Sequence, residues 1–316
     1  MKAVFLDRGS FAANTRFDFS DLVSHYDEYQ ITDASDTLSR IQNADIVITN
    51  KVILNADILS QAPKVKYILI LATGTNNVDL SYCQANQIQV DNIEGYSTDT
   101  VPEHTFAMLL ALKRNLLSYQ QAMKDGKWAN SDHFCLRDFP LTDLANTNMI
   151  IIGSGALGQR VKNIAEAFNM NTYFAERKGQ TQCREGYLPF ERALKIADVI
   201  TLHCPLTDNT KNMIAEAEFA LMKPSTLLIN TGRGGLVSET ALSTAIKTQQ
   251  IAGAAFDVAT QEPMPADHPL QALTDYPNFL LTPHVAWASD GAMQKLANIA
   301  QQKLTNFVEV ITSNDS

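Results

Sequence analysis

The sequence predicts an α/β protein of two domains, each built on a parallel β-sheet. Short apolar runs that are rich in β-branched residues alternate with helical patterns from end to end, which is typical of βαβ units. The runs fall into two series that are separated by a long helical pattern. The length of 316 residues also suits about two domains of ordinary size.

The first three predicted strands are apolar runs without polar alternation, which indicates a sheet covered by helices on both faces. The predicted strands of the first series are Ala3–Leu6, Asp45–Thr49, Tyr67–Leu71 and one that ends near Val90. Those of the second series are Met149–Ile152, Thr172–Phe174, Val199–Leu202, Leu227–Ile229, Ala254–Phe256 and Phe279–Thr282. Six strands complete a doubly wound sheet, so the second series predicts a whole domain of that kind.

A helical pattern from Val101 to about Lys124 lies between the two series. Its segment Phe106–Leu112 is apolar on nearly every side, so we expect it at a domain or dimer interface; burial inside one subunit is the alternative. A final helical pattern, from Gly291 to about Val310, is predicted to pack on the first domain. The predicted domains are residues 1–98 plus 286–316 and residues 99–285.

Composition and charge argue against several classes of partner. Asp and Glu outnumber Lys and Arg by 34 to 25, a net charge of −9, which disfavours nucleic acid and anionic membranes. No apolar run approaches the roughly 18 residues of a membrane span, and we expect no signal peptide. The four cysteines are far apart, so neither a zinc site nor a disulfide framework is predicted. We expect a cytoplasmic protein without a metal.

A glycine motif follows the first strand of the second series. Its residues, Gly153-Ser154-Gly155-Ala156-Leu157-Gly158, form a G-x-G-x-x-G pattern between a predicted strand and a predicted helix. Gly153 allows a tight turn, Gly155 lets the backbone approach a pyrophosphate, and Gly158 lets the helix pack closely on the sheet. Because strand, motif and helix occur in the required order, the segment predicts a dinucleotide site.

The identity of the dinucleotide depends on Glu176, which ends the second strand of the series. Glu176 follows Gly158 by 18 residues, close to the spacing of about 20 at which an acid accepts hydrogen bonds from the adenosine ribose. Its negative charge repels a 2′-phosphate, so we expect NAD. Arg177 and Lys178 could attract that phosphate, which makes NADP the less favoured alternative. The alternative without a cofactor is a glycine turn of an ordinary α/β sheet, with Glu176 solvated.

Three residues that follow later strands form a candidate catalytic set. They are Arg233 in a glycine-rich turn, Glu262 before a proline, and His284 directly beyond the sixth strand. Ligands bind at the carboxyl ends of such strands. Together the three residues suit reduction of a 2-oxo acid: Arg233 binds the carboxylate, His284 donates a proton to the carbonyl oxygen, and Glu262 orients the histidine. Taken singly, each residue has a structural alternative: a surface ion pair for Arg233, a solvated loop carboxylate for Glu262 and a buried core histidine for His284.

Eight motifs together make the chain resemble the D-isomer-specific 2-hydroxyacid dehydrogenase family over nearly its whole length. They are Ala72–Asp79, Gly95–Ser97, Glu103–Thr105, the glycine motif, His203–Thr207, Thr231–Gly234, Asp257–Val258 with Glu262–Pro263, and Pro283–His284. The resemblance implies two Rossmann-like domains with the active site in the cleft between them, and it implies Arg233, Glu262 and His284 as the catalytic set. By the same resemblance, residues 1–98 plus 286–316 form a flavodoxin-like substrate-binding domain and residues 99–285 bind NAD. A homodimer built largely through the NAD-binding domain is also implied.

The resemblance assigns roles to further residues. It implies that backbone amides around Thr73 and Gly74 hold the substrate carboxylate, that Thr100 lies near the nicotinamide, and that Asp257 bonds the carboxamide. Amides at a strand end can bind an anion, in agreement with the first of these roles. The other residues that the resemblance places against the cofactor are Arg177, His203, Cys204, Pro205, Thr210, Thr231 and Gly232.

The chain is most similar to the glycerate dehydrogenase and hydroxypyruvate reductase branch of the family in three segments: Ala286–Ala288, Ala72–Asn77 and Gly95–Thr98. The indole of Trp287 would narrow the substrate site and could donate its N–H to a substrate hydroxyl; packing alone is the alternative. We therefore expect hydroxypyruvate and D-glycerate as substrates, with glyoxylate as a further one. The alternatives are a D-lactate or broad 2-oxoacid dehydrogenase, and a non-enzymatic protein that senses NADH, as co-repressors similar to the family do.

Overall fold

Two compact units divide the protein in the computed structural model, which describes residues 1–180 and 182–314. One unit comprises Met1–Ser97 and the described part of Trp287–Ser316, and the other is Thr98–Ala286. Residues 315 and 316, which the sequence assigns to the first domain, lie outside the described residues. Each unit contains a parallel sheet, so the predicted α/β class is confirmed.

Strands and helices alternate along the described chain. The strands are β1 (Lys2–Phe5), β2 (His25–Glu28), β3 (Ile46–Thr49), β4 (Tyr67–Ile70), β5 (Gln89–Asn92), β6 (Asn148–Ile152), β7 (Asn171–Ala175), β8 (Tyr187–Leu188), β9 (Val199–Leu202), β10 (Leu227–Asn230), β11 (Gly253–Phe256) and β12 (Phe279–Leu281). The helices are α1 (Ala34–Ile41), α2 (Ala56–Leu59), α3 (Leu80–Ala85), α4 (Thr100–Lys113), α5 (Leu116–Lys124), α6 (Ala156–Ala167), α7 (Phe190–Ile196), α8 (Glu216–Phe219), α9 (Glu239–Lys247) and α10 (Asp290–Asn314).

The sheet of the first unit has five parallel strands in the order β2-β1-β3-β4-β5. The central strands β3 and β4 are buried at every position, as expected where helices cover both faces. Helix α10 adds Leu296, Leu304 and Phe307 to the hydrophobic cluster that contains residues of β1 and β4. The ring of Phe307 stacks on Tyr67 with 4.2 Å between centroids. The last helix therefore belongs to the core of the first unit, as its sequence pattern predicts.

The sheet of the second unit has seven parallel strands in the order β12-β11-β10-β9-β6-β7-β8. Strand β6 lies between β7 and β9, so the strand order changes direction at β6. Ligands of doubly wound sheets bind beside such a switch point, at the carboxyl ends of the strands. The loops that follow β6, β7, β9, β10, β11 and β12 carry most of the predicted cofactor and catalytic residues.

The helix predicted between the two series of strands is divided into α4 and α5. Asn115 separates them with a left-handed backbone, at a φ of 47°, and its side chain donates to the carbonyl of Pro140 at 2.6 Å. Asparagine tolerates this conformation better than most residues. In α4, Phe106, Met108 and Leu109 are buried in the core of the second unit. Burial within one subunit, the alternative interpretation, therefore accounts for this part of the helix.

Two short strands were not predicted. Strand β2 is the polar segment His25-Tyr26-Asp27-Glu28, which lies at the edge of its sheet and lacks an apolar run. Strand β8 has two residues, too few for a sequence pattern. Among the helices of the described residues, none combines the length and apolar character that crossing a bilayer requires.

Candidate active site

The glycine motif forms the turn between β6 and α6 in the second unit. Gly153 has a φ of 106°, and a Cβ there would lie 2.5 Å from the carbonyl group of His203. A Cβ at Gly158 would lie 2.0 Å from the carbonyl oxygen of Gly153, so α6 can start this close to the strand only with glycine. A Cβ at Gly155 would meet no protein atom within 4 Å. The backbone at Gly155 is thus open on the side where a pyrophosphate would approach.

A cavity of about 950 Å³ opens beside this turn. Residues from the loops after β6, β7 and β9 form its walls: Ile152, Gly153, Ser154, Gly155, Ala175, Glu176, Arg177, Lys178, Gln180, Arg184, Tyr187, Phe190, His203, Cys204, Pro205, Thr207, Asn209, Thr210, Lys211, Asn212 and Met213. Its volume is at the upper end of the range for ligand pockets and suits a nucleotide. The glycine turn, an acid and several cations line one space, as a dinucleotide requires.

His203 and Cys204 form part of the wall after β9. Nε2 of His203 is 2.8 Å from the hydroxyl of Thr201, whereas Nδ1 is buried without a partner among the described residues. Burial lowers the pKa of His203 to about 4, so the ring is neutral at pH 7. Burial likewise raises the pKa of Cys204 to about 11, so its thiol stays protonated. The unpaired nitrogen of His203 is the kind of buried polar atom that a bound ligand satisfies.

Glu176 lies where the sequence predicts an acid, directly after β7. Its carboxylate accepts four hydrogen bonds from the protein itself: from the backbone N–H groups of Arg177 and Arg184 at 2.8 and 3.1 Å, and from Nε and Nη2 of Arg184, both at 2.8 Å. The Arg184 guanidinium holds the pKa of Glu176 at about 2. The acid is therefore ionised, and its charge is paired.

The predicted catalytic acid and its partner are in direct contact. Nδ1 of His284 lies 2.5 Å from Oε2 of Glu262, and Oε1 of Glu262 accepts from the backbone N–H of Ala259 at 3.0 Å. Nε2 of His284 has no hydrogen-bond partner in the part of the chain that the structure describes. Glu262 thus holds one ring nitrogen, and the other can exchange a proton with a substrate.

Asp257 fixes the loop that carries His284. Its carboxylate is 1% exposed and accepts from the hydroxyl of Thr282 at 2.6 Å and from the backbone N–H groups of Val285 and Ala286 at 2.9 and 2.8 Å. His284 has a left-handed backbone, with φ 54°, which costs a non-glycine residue free energy. The three bonds to Asp257 surround this residue and keep it in that conformation.

Arg233 follows β10, and its turn is fixed by Asn230. The Asn230 side chain donates to the carbonyl of Arg233 at 3.0 Å and accepts from the N–H of Gly232 at 3.1 Å. A Cβ at Gly234 would lie 2.0 Å from the carbonyl oxygen of Ala259, so the Arg233 turn lies directly against the loop that leads to Glu262. The loops of the three candidate catalytic residues therefore lie together at the ends of β10, β11 and β12.

Other predicted residues are placed as follows. Thr231 is buried with its hydroxyl 2.9 Å from that of Thr105, and Thr100 begins α4. The hydroxyl of Thr210 donates to the carbonyl of Pro205 at 2.8 Å in the cavity wall. These hydrogen bonds hold the loops of Thr231 and Thr210 in place.

The first unit holds Thr73, Gly74 and Trp287. The hydroxyl of Thr73 donates to the carbonyl of Ile93 at 3.0 Å, and this bond fixes the loop after β4. The indole of Trp287 is partly buried and meets the rings of Phe11 and Tyr96 edge to face, with centroids 5.7 and 6.2 Å away. Trp287 thus packs in an aromatic cluster, while its Nε1 has no partner among the described residues.

Two features of the site have no signal in the sequence. One is Arg184 on Glu176; no spacing rule connects an arginine in a loop to an acid eight positions earlier. The other is a buried group formed by Glu239, Thr260 and His268, in which Glu239 accepts from Thr260 Oγ1 at 2.7 Å and lies 3.0 Å from His268 Nε2. This group anchors the loop that carries Glu262. A lone acid at the start of α9 gave no signal of it.

Comparisons with known proteins agree with this geometry. Residues 106–286 match the family model described as D-isomer specific 2-hydroxyacid dehydrogenase, NAD binding domain. The chain is 43% identical over 309 residues to a glycerate dehydrogenase of Methylorubrum extorquens, covering 97% of this chain and 96% of the relative. It is 34% identical over 289 residues to a hydroxypyruvate reductase of Blautia hydrogenotrophica, covering 90% and 88%. A solved D-lactate dehydrogenase from Aquifex aeolicus, complexed with NAD and lactic acid, is similar with a TM-score of 0.82, 26% identity and coverage of 98% and 96%.

Proposed function

Because this chain belongs to the D-isomer specific 2-hydroxyacid dehydrogenase family, we propose that it interconverts hydroxypyruvate and D-glycerate with NADH and NAD. The chain is an oxidoreductase that acts on the CH–OH group of a small 2-hydroxy acid through a nicotinamide dinucleotide. The pair of His284 and Glu262 carries the proposal, because it supplies a proton donor at the carboxyl ends of the strands, where the glycine turn also lies.

Reduction of a 2-oxo acid adds one hydride to C2 and one proton to the oxygen on C2. A bound dihydronicotinamide supplies the hydride. His284 gives the proton from Nε2, while Glu262 accepts from Nδ1 and stabilises the positive charge of the ring before the transfer. In the oxidative direction the neutral ring accepts the proton of the C2 hydroxyl. Both directions need the ring orientation that Glu262 and the Asp257 loop impose.

Arg233 is assigned to the substrate carboxylate and to polarisation of the C2 carbonyl. Nη1 donates to the carbonyl of Gly232 at 2.7 Å, which is the one bond of this guanidinium within the described residues. Its other N–H donors remain for a ligand, and a planar guanidinium matches a carboxylate with two parallel bonds. The rigid turn formed with Asn230 limits the positions that this side chain can take.

Hydroxypyruvate differs from pyruvate by a hydroxyl on C3, and Trp287 is assigned to recognise that difference. The aromatic cluster fixes the indole, and its N–H donor has no partner among the described residues. A positioned N–H can discriminate in favour of a substrate with a hydroxyl. The backbone amides around Thr73 and Gly74 are assigned to the carboxylate. We assign substrate binding to residues 1–98 plus 286–316, and cofactor binding to residues 99–285.

The cavity beside the glycine turn is assigned to the dinucleotide. The turn would hold the pyrophosphate, while Thr100 and Asp257 would lie at the nicotinamide end. The remaining predicted contacts are Arg177, His203, Cys204, Pro205, Thr210, Thr231 and Gly232. The negative charge of Glu176 disfavours a 2′-phosphate, so NADH is the preferred donor.

The experiment that tests this function is a substrate panel. Initial rates of NADH oxidation are measured with hydroxypyruvate, glyoxylate, pyruvate and oxaloacetate, and the series is repeated with NADPH. The highest kcat/KM is expected for hydroxypyruvate with NADH, and Trp287→Phe should lower it more than it lowers the value for pyruvate. A preference for pyruvate would instead assign a D-lactate or broad 2-oxoacid dehydrogenase. Binding of NADH without turnover of any of the four acids would favour a sensor.

We further propose that the protein forms a homodimer in which a second copy of this chain binds an exposed apolar surface of the second unit. Large apolar side chains of α5 and the segment after it are exposed there, and Phe134 is 91% exposed. The others are Leu116, Leu117, Met123, Trp128 and Leu141. The concentration of exposed apolar side chains within residues 116–141 supports this assignment, because exposed apolar patches mark protein interaction sites. Light scattering should give the mass of a dimer for the protein, and Leu117→Asp with Phe134→Asp should reduce it to that of a monomer.

A further inference from the structure

Arg184 is hydrogen-bonded to the carboxylate of Glu176, which the sequence predicts to bind the adenosine ribose. Each oxygen of Glu176 accepts two hydrogen bonds: Oε1 from the N–H of Arg177 and from Nη2 of Arg184, and Oε2 from the N–H and Nε of Arg184. A carboxylate offers about four acceptor positions, so the protein itself fills them. A ribose hydroxyl can bond to Glu176 only by displacing one of these donors.

The guanidinium of Arg184 is held in place by a second contact. Its central carbon lies 3.9 Å from the centroid of the Tyr187 ring, and both residues line the cavity. Stacking on an aromatic face and a two-bond pair with a carboxylate together restrict the side chain strongly. Nη1 has no hydrogen-bond partner in the part of the chain that the structure describes. This donor remains for a ligand.

The charges that line the cavity are mostly positive. Among the described residues, four cations line it, Arg177, Lys178, Arg184 and Lys211, against the one carboxylate of Glu176. Lys178 is paired with Glu218 at 2.8 Å, whereas Arg177 and Lys211 have no carboxylate within ion-pair distance among the described residues. Because Arg184 is paired with Glu176, the repulsion between this carboxylate and a 2′-phosphate is weakened.

We propose that Arg184 determines how far this enzyme discriminates between NADH and NADPH. It neutralises Glu176 and presents Nη1 to the adenosine 2′ position, so a 2′-phosphate is accepted beside a 2′-hydroxyl. The inference rests on the proposed function, because it requires a nicotinamide dinucleotide in the cavity. The preference for NADH over NADPH is therefore small in the native protein, because Arg184 pairs with Glu176.

The test is calorimetric titration of the full-length protein with NADH and with NADPH, without substrate. The native protein should bind the two with dissociation constants within about tenfold of each other. Arg184→Met, which keeps an unbranched apolar stem and removes the guanidinium charge, should weaken NADPH at least tenfold and leave NADH unchanged or tighter. Arg114→Met is the matched control, since Arg114 pairs with Asp143 and does not line the cavity; both constants should stay as in the native protein.

Three results would overturn the inference: NADPH more than about tenfold weaker than NADH in the native protein, no change of the NADPH constant in Arg184→Met, or equal weakening of both dinucleotides. Arg184→Gln keeps a donor for Glu176 and gives the same test if the Met variant does not fold. If the native protein binds neither dinucleotide, the proposed function fails as well. If it binds and oxidises NADH while Arg184→Met leaves the ratio unchanged, only the role of Arg184 fails.

Discussion

Nδ1 of His284 lies 2.5 Å from Oε2 of Glu262, and His284 holds this position with a left-handed backbone at φ 54°. A histidine in that conformation is strained, and such strain persists where surrounding contacts enforce it. Here Asp257 binds the residues on both sides of His284. The protein thus fixes the direction of one ring nitrogen and leaves the other accessible.

Glu262→Gln should lower kcat for hydroxypyruvate about tenfold to a hundredfold. Glutamine can still accept from Nδ1, but it lacks the negative charge that stabilises the protonated ring before proton transfer. Steady-state kinetics of the variant measure the effect, and Glu191→Gln on the exposed face of α7 is the control. A kcat within twofold of the native value would show that the charge of Glu262 is not used.

Asp257→Asn should lower both stability and turnover. The amide keeps one acceptor oxygen but places an NH₂ group opposite a backbone N–H of Val285 or Ala286, so a buried donor loses its partner. The expected loss in the free energy of unfolding is about 2 kcal/mol. Urea denaturation measures this loss, and kcat measures the displacement of His284. Native stability with native kcat would contradict the anchoring role of Asp257.

Gly155→Ala and Gly158→Ala should separate cofactor binding from folding. A Cβ at Gly155 meets no protein atom within 4 Å, so Gly155→Ala should keep the melting temperature of the native protein. It should nevertheless bind NADH at least tenfold more weakly, because the Cβ would lie where the pyrophosphate approaches. A Cβ at Gly158 overlaps the carbonyl oxygen of Gly153, so that variant should lose thermal stability as well. Thermal melts and NADH titrations of both variants check this. Unchanged NADH affinity in Gly155→Ala would place the pyrophosphate elsewhere.

The pair of Glu176 and Arg184 should contribute to stability in a defined pH range. Because Arg184 holds the pKa of Glu176 at about 2, below its ordinary value of 4.5, the folded state binds the proton less tightly than the unfolded chain. The contribution is therefore complete above about pH 4.5 and is lost as the pH falls towards 2. The difference in free energy of unfolding between the native protein and Glu176→Gln should be constant from pH 5 to 7 and shrink below that range. A difference that does not vary with pH would contradict the charge pairing.

Much of the fold followed from local patterns in the sequence. The buried strands β3, β4, β9 and β10 are predominantly apolar, and the glycine turn has fixed short spacing, so both can be predicted without knowledge of tertiary contacts. The polar edge strand β2 was missed because its pairing with β1, and not its composition, makes it a strand. The break at Asn115 was missed for a similar reason, since its stabilising bond is made to Pro140, distant in the sequence.

The candidate site was predictable only in part. Because Glu262 and His284 both follow strands, they were expected at the carboxyl end of the sheet. The structure places their side chains in contact. The bonds from Asp257 to the His284 loop and from Arg184 to Glu176 depend on how loops fold back in three dimensions. No periodicity or spacing in one sequence contains that information.

The most direct test of the central claim is a comparison of the native protein with His284→Ala under single-turnover conditions. Stoichiometric NADH is bound first, its affinity is measured, and its oxidation is followed after mixing with hydroxypyruvate. We predict that His284→Ala binds NADH within about threefold of the native affinity and oxidises it at least a hundredfold more slowly. Oxidation at the native rate would contradict the account, because the proton would then come from a group other than His284.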